Sequence, residues 1–256
     1  MQRIEITSDF HTHTRYSHGK GSVLDNALQA QKLGFDCIAI TDHGVNHPLV
    51  GVDRTKFDVI RADISNVQSS IEDCKILFGI EGNVIGEEGE IDLTDEDIAK
   101  LDIVLAGFHL TAKPAKFKYY GSLVFNGLTH YVAPASSRQI AANTRAYVNA
   151  VKKHPIDVLT HLGFRLDVDY KEVAKVCADY GTYIELSSRH KTPSDKVMED
   201  ILSTDATLIV NSDAHKVENI GKWEYAMALI DKFDIPESRI ANCNHKIPQF
   251  RSRSGK

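Results

Sequence analysis

Short apolar segments alternate with helical ones along this chain, and most of the apolar segments run straight into a histidine or an acid. The residues in question are His11, His13, His18, His43, Glu81, His109, His161, Asp213 and His215. The alternation predicts a parallel sheet covered by helices, either open or closed. Imidazole and carboxylate together form the ligand set of zinc, manganese or iron. Nine such groups exceed the roughly four ligands that one zinc ion takes. The pattern therefore predicts a multinuclear metal site, and such sites usually perform hydrolysis.

The expected strands are Ile4–Asp9, Cys37–Thr41, Ile76–Glu81, Ile103–Phe108, Val158–His161, Tyr183–Leu186 and Thr207–Asn211. Most are nearly continuous apolar runs, as strands covered on both faces are. Helices are expected from Ser22, where Ser22 and Asp25 form a capping box and Gly34 supplies the stop. Others are expected over Thr55–Ile71, Asp95–Lys100, Ser136–Lys153, Lys171–Tyr180, Ser194–Leu202 and Ile220–Lys232. The candidate ligands follow six of the seven strands, which favours closure into a barrel, because barrel loops at the C-terminal ends converge on one mouth. An open doubly wound sheet concentrates function at one switch point instead. No glycine-rich phosphate fingerprint follows the first strand, which argues against a dinucleotide-binding domain.

A chain of 256 residues fits one large domain, since such barrels run to roughly 200–250 residues. The core is expected over about 4–235, with a long excursion loop over 111–134 and a frayed basic tail over about 248–256. With 30 Lys and Arg against 35 Asp and Glu, the net charge of −5 lacks the footprint of a general nucleic-acid binder. Cys37, Cys74, Cys177 and Cys243 include no C-x-x-C pair, so no disulfide framework is expected. No apolar leader and no run of roughly 20 apolar residues is visible. A cytoplasmic setting follows as the default.

Taken singly, the motifs differ in weight. In Asp9-Phe10-His11-Thr12-His13, residues at i and i+2 share a face of an extended chain, so His11 and His13 can chelate one ion. Asp9 shares that parity and could ligate or orient a histidine. His18 alone reads as a loop histidine. His43 and Asp42 end the second strand; Asp42 fits either a partner of His43 or a helix cap. Glu81 follows Ile76-Leu77-Phe78 and is hard to explain as core, because an unpaired buried carboxylate is costly. His109, His161 and the pair Asp213 and His215 repeat the theme. His190 and Arg189 follow the sixth strand, where Arg189 could hold an anionic group, as could Lys113, Lys116 and Lys118. His154 and His245 carry no special expectation, and His47 and His130 are undecided.

The ordered set D-F-H-T-H, T-D-H-G, G-I-E-G-N, A-G-F-H, T-H-L-G and N-S-D-A-H resembles the PHP (polymerase and histidinol phosphatase) superfamily, and most closely its stand-alone YcdX-like phosphatases. The resemblance runs from about Ile4 to Lys232. It implies a distorted (β/α)7 TIM-like barrel with a trinuclear metal site, most commonly zinc, at its mouth. His11, His13, Glu81 and Asp213 would hold the first metal. Glu81 would bridge to a second, completed by His109 and His161. His18, His43 and His215 would hold the third. The implied reaction is hydrolysis of a small-molecule phosphomonoester by a hydroxide bridging two ions, with Glu81, Asp213, Asp9 and Arg189 as the catalytic set. Bound water of this kind is acidic enough to ionise near neutral pH.

Three rival readings compete with this one. A nuclease or phosphodiesterase acting on nucleotides or nucleic-acid 3′ ends suits the metals but not the net charge. A non-catalytic metal scaffold suits a closed, cysteine-rich site better than this one. Amidohydrolase-like chemistry on carbon shares the H-x-H pair, but its metal-bridging lysine has no clear counterpart. The sequence leaves open the physiological substrate, the general acid, the oligomeric state and the choice among zinc, iron and manganese.

Overall fold

A computed structural model of the chain describes residues 4–130 and 132–251. Seven strands form a single parallel sheet in sequence order: β1 (Ser8–Thr12), β2 (Cys37–His43), β3 (Lys75–Asn83), β4 (Ile103–Gly107), β5 (Val158–Leu159), β6 (Tyr183–Ser187) and β7 (Leu208–Asn211). The two edges approach each other at a parallel bridge between Thr12 and Ala214, where the His13 N–H donates to the Ala214 carbonyl at 2.9 Å. The result is the expected (β/α)7 barrel, nearly closed.

Its interior is built in tiers by the two-residue period of the strands. Phe10, Cys37, Ala39, Leu77, Ile103, Leu105, Val158 and Ile209 pack together as an apolar floor. Moving up each strand by two or four residues at constant parity replaces this floor with polar groups: His43 on β2, Glu81 on β3, Glu185 on β6 and Asn211 on β7, all buried. β1 reaches the same result through a register irregularity between Asp9 and Thr12. The bulge lets Phe10 join the floor while His11 and His13 serve the tier above.

β1, β2 and β3 extend further toward the mouth than their apolar runs suggest, whereas β4 and β5 end earlier. β2 continues through His43, and His43 pairs in register with Glu81 of β3. β1 begins at Ser8 rather than Ile4 and carries His11 within it. These residues are polar yet strand-forming because the ladder bonds backbone groups regardless of side chain.

The helices follow their sequence signals closely. In α1 (Val23–Lys32) the Ser22–Asp25 capping box is present in both directions, and Gly34 takes φ of +73°. α2 (Phe57–Gln68), α3 (Asp95–Ala99), α5 (Ser137–Lys153), α6 (Tyr170–Tyr180) and α7 (Asp195–Leu202) lie within one to three residues of expectation at each end. α8 (Glu224–Lys232) starts four residues late, because Gly221 at φ +80° breaks the helical path. The stretch expected as a loop over 111–134 contains a π-helical turn, Tyr120–Val124, and a short α4, Phe125–Thr129.

The chain goes on contributing to the barrel beyond residue 235. The Leu208–Ile240 bridge and the antiparallel Ile6–Cys243 bridge insert residues 240–243 into the seam between β7 and β1. There the Asn242 Nδ2 donates to the Ser8 and Val210 carbonyls at 2.8 and 2.6 Å, and its Oδ1 accepts from the Val210 N–H at 3.0 Å. Further on, Phe250 meets Phe10 edge-on with centroids 5.2 Å apart and plugs the floor. Arg251 then donates to Thr182 Oγ1 at 2.8 Å. Only residues 252–256 of the expected basic tail lie outside the described residues.

Because Asn242 is fully buried and bonds both sides of the seam, its loss leaves backbone groups unsatisfied. Asn242→Ala is expected to destabilise the fold by about 1–3 kcal/mol. Urea unfolding of the two proteins side by side measures the difference; an unchanged midpoint would show that the seam closes without it.

Candidate metal centre

The polar tier at the top of the barrel brings most of the nine expected residues into one cluster. Three groups each offer donor atoms lying within 4.8 Å of one another: His11, His13 and Asp213; His43, Glu81 and His109; and His13, His43 and His215. His161 joins through Nε2, which is 2.8 Å from Glu81 Oε1. His18 is held by ring contacts alone, its centroid 4.8 Å from His43 and 4.1 Å from His215.

The spacing within the cluster is that of ligands around an ion. Two donors each about 2.0–2.1 Å from a zinc at the tetrahedral angle lie about 3.4 Å apart. Here His11 Nε2 and His13 Nε2 are 3.1 Å apart. His11 Nε2 lies 3.4 Å from Glu81 Oε1 and 3.7 Å from Asp213 Oδ1, and His13 Nε2 lies 3.2 Å from Asp213 Oδ1. His43 Nδ1 is 3.0 Å and His109 Nε2 3.5 Å from Glu81 Oε2. Yet Glu81 Oε2, Asp213 Oδ1, His43 Nδ1 and His215 Nε2 are buried and accept or donate no hydrogen bond. Buried polar atoms left in this state are costly, and a cation among them removes the cost. The donor set and its spacing fit divalent metal.

Surrounding groups fix which ring nitrogen faces inward. His11 Nδ1–H donates to Glu185 Oε1 at 2.7 Å, His109 Nδ1–H to Asn83 Oδ1 at 2.8 Å, and His215 Nδ1–H to the Asp213 carbonyl at 3.1 Å. Each bond turns the Nε2 lone pair of its ring toward the cluster, the usual arrangement behind a metal-ligating imidazole. Glu185 also accepts from the His161 N–H at 2.8 Å and Asn211 Nδ2 at 3.1 Å. Thr160 Oγ1 donates to Glu81 Oε1 at 2.9 Å.

The rings divide: burial would lower His11 and His161, but Glu185 at the first and Glu81 at the second outweigh it and hold both above the ordinary imidazole value. Burial, and then the neighbouring His43, push His13 down to about 3 and His18 down to about 4. Burial likewise lowers His109. These rings are neutral at physiological pH, the form that binds metal. Burial would raise the Glu81 and Asp213 carboxyls. The imidazoles of His109 and His11 outweigh it at Glu81, and those of His11 and His13 at Asp213, holding both acids well below their ordinary range.

Two of the candidate ligands have left-handed backbone, His161 with φ of +33° and Asp213 with +50°, as do Arg165 and Lys191 on neighbouring loops. Left-handed backbone at non-glycine residues costs of order 1 kcal/mol and persists where surrounding structure enforces it. Gly107 explains how His161 fits. A Cβ at Gly107 would press on Thr160 Oγ1 and lie 2.7 Å from His161 Cε1.

The model of the PHP domain family matches residues 9–230. The chain belongs to this family. Two curated relatives of this PHP protein, each named "Probable phosphatase", come from Caldanaerobacter subterraneus and Proteus mirabilis. Each is 29% identical over 259 residues, covering 97% of this chain and 92% and 95% of the relative. Among solved structures, the histidinol phosphate phosphatase of Lactococcus lactis, complexed with zinc, L-histidinol and phosphate, shares the fold with a TM-score of 0.59. It is 13% identical, over 88% of this chain and 93% of its own.

Other expectations fare differently. Asp9 does not point at the PHP cluster: its oxygens accept from the backbone N–H groups of Ser212 at 3.1 Å, Gly221 at 3.4 Å and His11 at 3.4 Å. Burial raises it to about 6. Its work is to tie β1 to the loop carrying Asp213, and the β1 bulge is why the parity argument misplaced it. Asp42 neither partners His43 nor caps a helix; it accepts from Thr14 and Ser17 and shapes the loop leading to His18. Lys116 and Lys118 pair with Glu88. Arg189 does reach the site, with NH1 3.6 Å from Asp213 Oδ1, and His190 Nε2 lies 3.0 Å from Asp213 Oδ2. His47 borders the cluster, its centroid 5.5 Å from His43. His154 and His245 bond to Gly89 and Asp36 instead. Glu185 escaped the sequence reading, although a carboxylate inside the apolar run Tyr183–Leu186 was the same signal that singled out Glu81.

Glu185→Gln is expected to weaken metal binding about 10- to 100-fold, the usual cost of losing a carboxylate behind a ligating histidine, while the fold survives. Titration against a competing chelator dye reads this directly.

Proposed function

We propose that this protein is a metal-dependent phosphatase that hydrolyses a small-molecule phosphomonoester. The observation that carries the reading is the crowding of buried, unbonded carboxylate oxygens and imidazole nitrogens at 3.0–3.7 Å in the barrel mouth. The names of the relatives from Caldanaerobacter and Proteus support the phosphatase class. The zinc, histidinol and phosphate of the Lactococcus structure support the chemistry of the ligand.

Three divalent ions, zinc by preference with iron or manganese as alternatives, would be held by His11, His13, His18, His43, Glu81, His109, His161, Asp213 and His215. Glu81 would serve two of them, since its two oxygens face different imidazoles: Oε1 faces His161 and His11, and Oε2 faces His43 and His109. When bound, such ions supply acidified water and neutralise phosphate charge.

The protein's own groups do the rest. Glu185 and Asn83 hold His11 and His109 in the required tautomers. Asp9 and the β1 bulge keep the His11–His13 pair beside Asp213. Arg189 stands at the rim, 39% exposed, where a planar guanidinium can take two phosphate oxygens. Phosphoryl transfer asks for this kind of positioning and charge stabilisation more than for covalent help. The setting we propose is cytoplasmic, in keeping with four buried cysteines that form no C-x-x-C pair; among the described residues no helix is long and apolar enough to cross a membrane.

Purified protein is expected to carry two to three metals per chain by elemental analysis and to cleave p-nitrophenyl phosphate in a chelator-sensitive way. Metal-replete protein that turns over no member of a broad phosphate-ester panel would overturn the reading. Glu81→Ala is expected to lose more activity than alanine at any single histidine, because two ions would lose a ligand at once; a smaller loss would remove its bridging role.

A further inference from the structure

The loop from Ser187 to Thr192 closes on itself through reciprocal backbone bonds of 2.8 and 3.2 Å and separates two cavities at the mouth. His190 and Lys191 line the larger, about 590 Å³, whose walls include Phe164, Leu162 and Val168. Ser188 and Arg189 line the smaller, about 370 Å³, which is floored by Asp213 and His215 and walled further out by Lys216, Asn219 and Lys222. The smaller cavity thus opens directly from the cluster and offers no hydrocarbon side-chain wall.

Its charge is out of keeping with a chain of net −5. Arg189, Lys216 and Lys222 bring three cations, against the one carboxylate, Glu224, that lies outside the cluster. Five lysines elsewhere, Lys100, Lys116, Lys118, Lys232 and Lys246, each pair with an acid. Among the described residues no carboxylate pairs with Lys216 or Lys222. Lys222 Nζ makes one bond, to Asn219 Oδ1 at 3.3 Å, which leaves donors to spare on a group that has three. The first turn of α8 is already served, since the Ala226 N–H donates to Ser188 Oγ at 3.1 Å, so the cations alone set the field of the cavity. Unmatched cations around a polar cavity recognise an oxyanion.

We propose that this cavity is a second anion subsite, through which the protein selects phosphate esters whose alcohol carries a further phosphate or carboxylate. The proposal rests on the phosphatase reading for the identity of the first group and stands on Lys216 and Lys222 for the second, with Arg189 at the boundary between the two. The phosphoryl group to be cleaved sits over the cluster. The other anion sits one residue outward, between the two lysines and the guanidinium.

Calorimetric binding to the metal-loaded protein tests it without turnover, using methylphosphonate, phosphonoacetate and alkane bisphosphonates with spacers of one to three carbons. The bifunctional ligands are expected to bind roughly tenfold or more tightly than methylphosphonate, as one or two charge-assisted bonds provide. The double variant Lys216→Ala/Lys222→Ala is expected to erase that advantage and leave methylphosphonate unaffected. Preference for phosphonoacetate over the bisphosphonates would identify the second group as carboxylate, and the reverse as phosphate. An advantage that persists in the double variant would mean that both anions bind the metals, and an absent advantage in the wild type would mean no subsite; either overturns the proposal. Hydrolysis of p-nitrophenyl phosphate is followed separately. Turnover without preference sinks the subsite alone, and preference without turnover sinks the phosphatase reading alone.

Discussion

Everything in the upper half of this barrel answers to one difficulty: atoms that carry lone pairs must face each other at close range with no water between them. Glu81 and Asp213 are buried, and so are the imidazoles around them. Hydrogen bonding within the cluster cannot satisfy all of these atoms, since too many are acceptors. A cation can. The outer contacts are arranged so that the conflict stays in place: Glu185 and Asn83 each accept the Nδ1 proton of their histidine, and the strands fix the backbones. The left-handed turns at His161 and Asp213 are consistent with a site whose geometry is imposed by its surroundings.

That difficulty was largely visible in the sequence because of where it falls. Strand parity carries apolar residues into the floor and polar ones into the tier above, so a histidine or glutamate just beyond an apolar run marks the transition. The (β/α)7 order, the capping boxes and the ligand cluster follow from such local patterns. What stayed hidden depends on contacts between distant segments. Asp9 was misread because a bulge changes the facing of β1, and a bulge has no signature in Asp9-Phe10-His11. Asn242 and Phe250 were missed because a short polar or aromatic residue near the end of a chain says nothing about the seam or floor it fills. Glu185 is the instructive case, since its signal was present and was read only at Glu81.

The mouth is asymmetric, and the asymmetry comes from a single loop. Residues 187–192 put Arg189 and His190 on adjoining positions that both reach Asp213, yet they face different cavities. Phe164, Leu162 and Val168 stand among lysines and acids in one, whereas every side chain lining the other ends in a polar or charged group. A ligand anchored at the cluster therefore meets different neighbours depending on the direction in which it leaves.

The insertion of residues 240–243 between the first and last strands also bears on how the chain reaches its final form. A barrel in which β1 met β7 along its whole length could close as soon as β7 had been synthesised. Here the lower half of that junction is supplied by residues made later, and Phe250 seals the base later still. The seam beside β1 and the ring of Phe10 are therefore covered only by segments that follow every strand of the sheet in sequence.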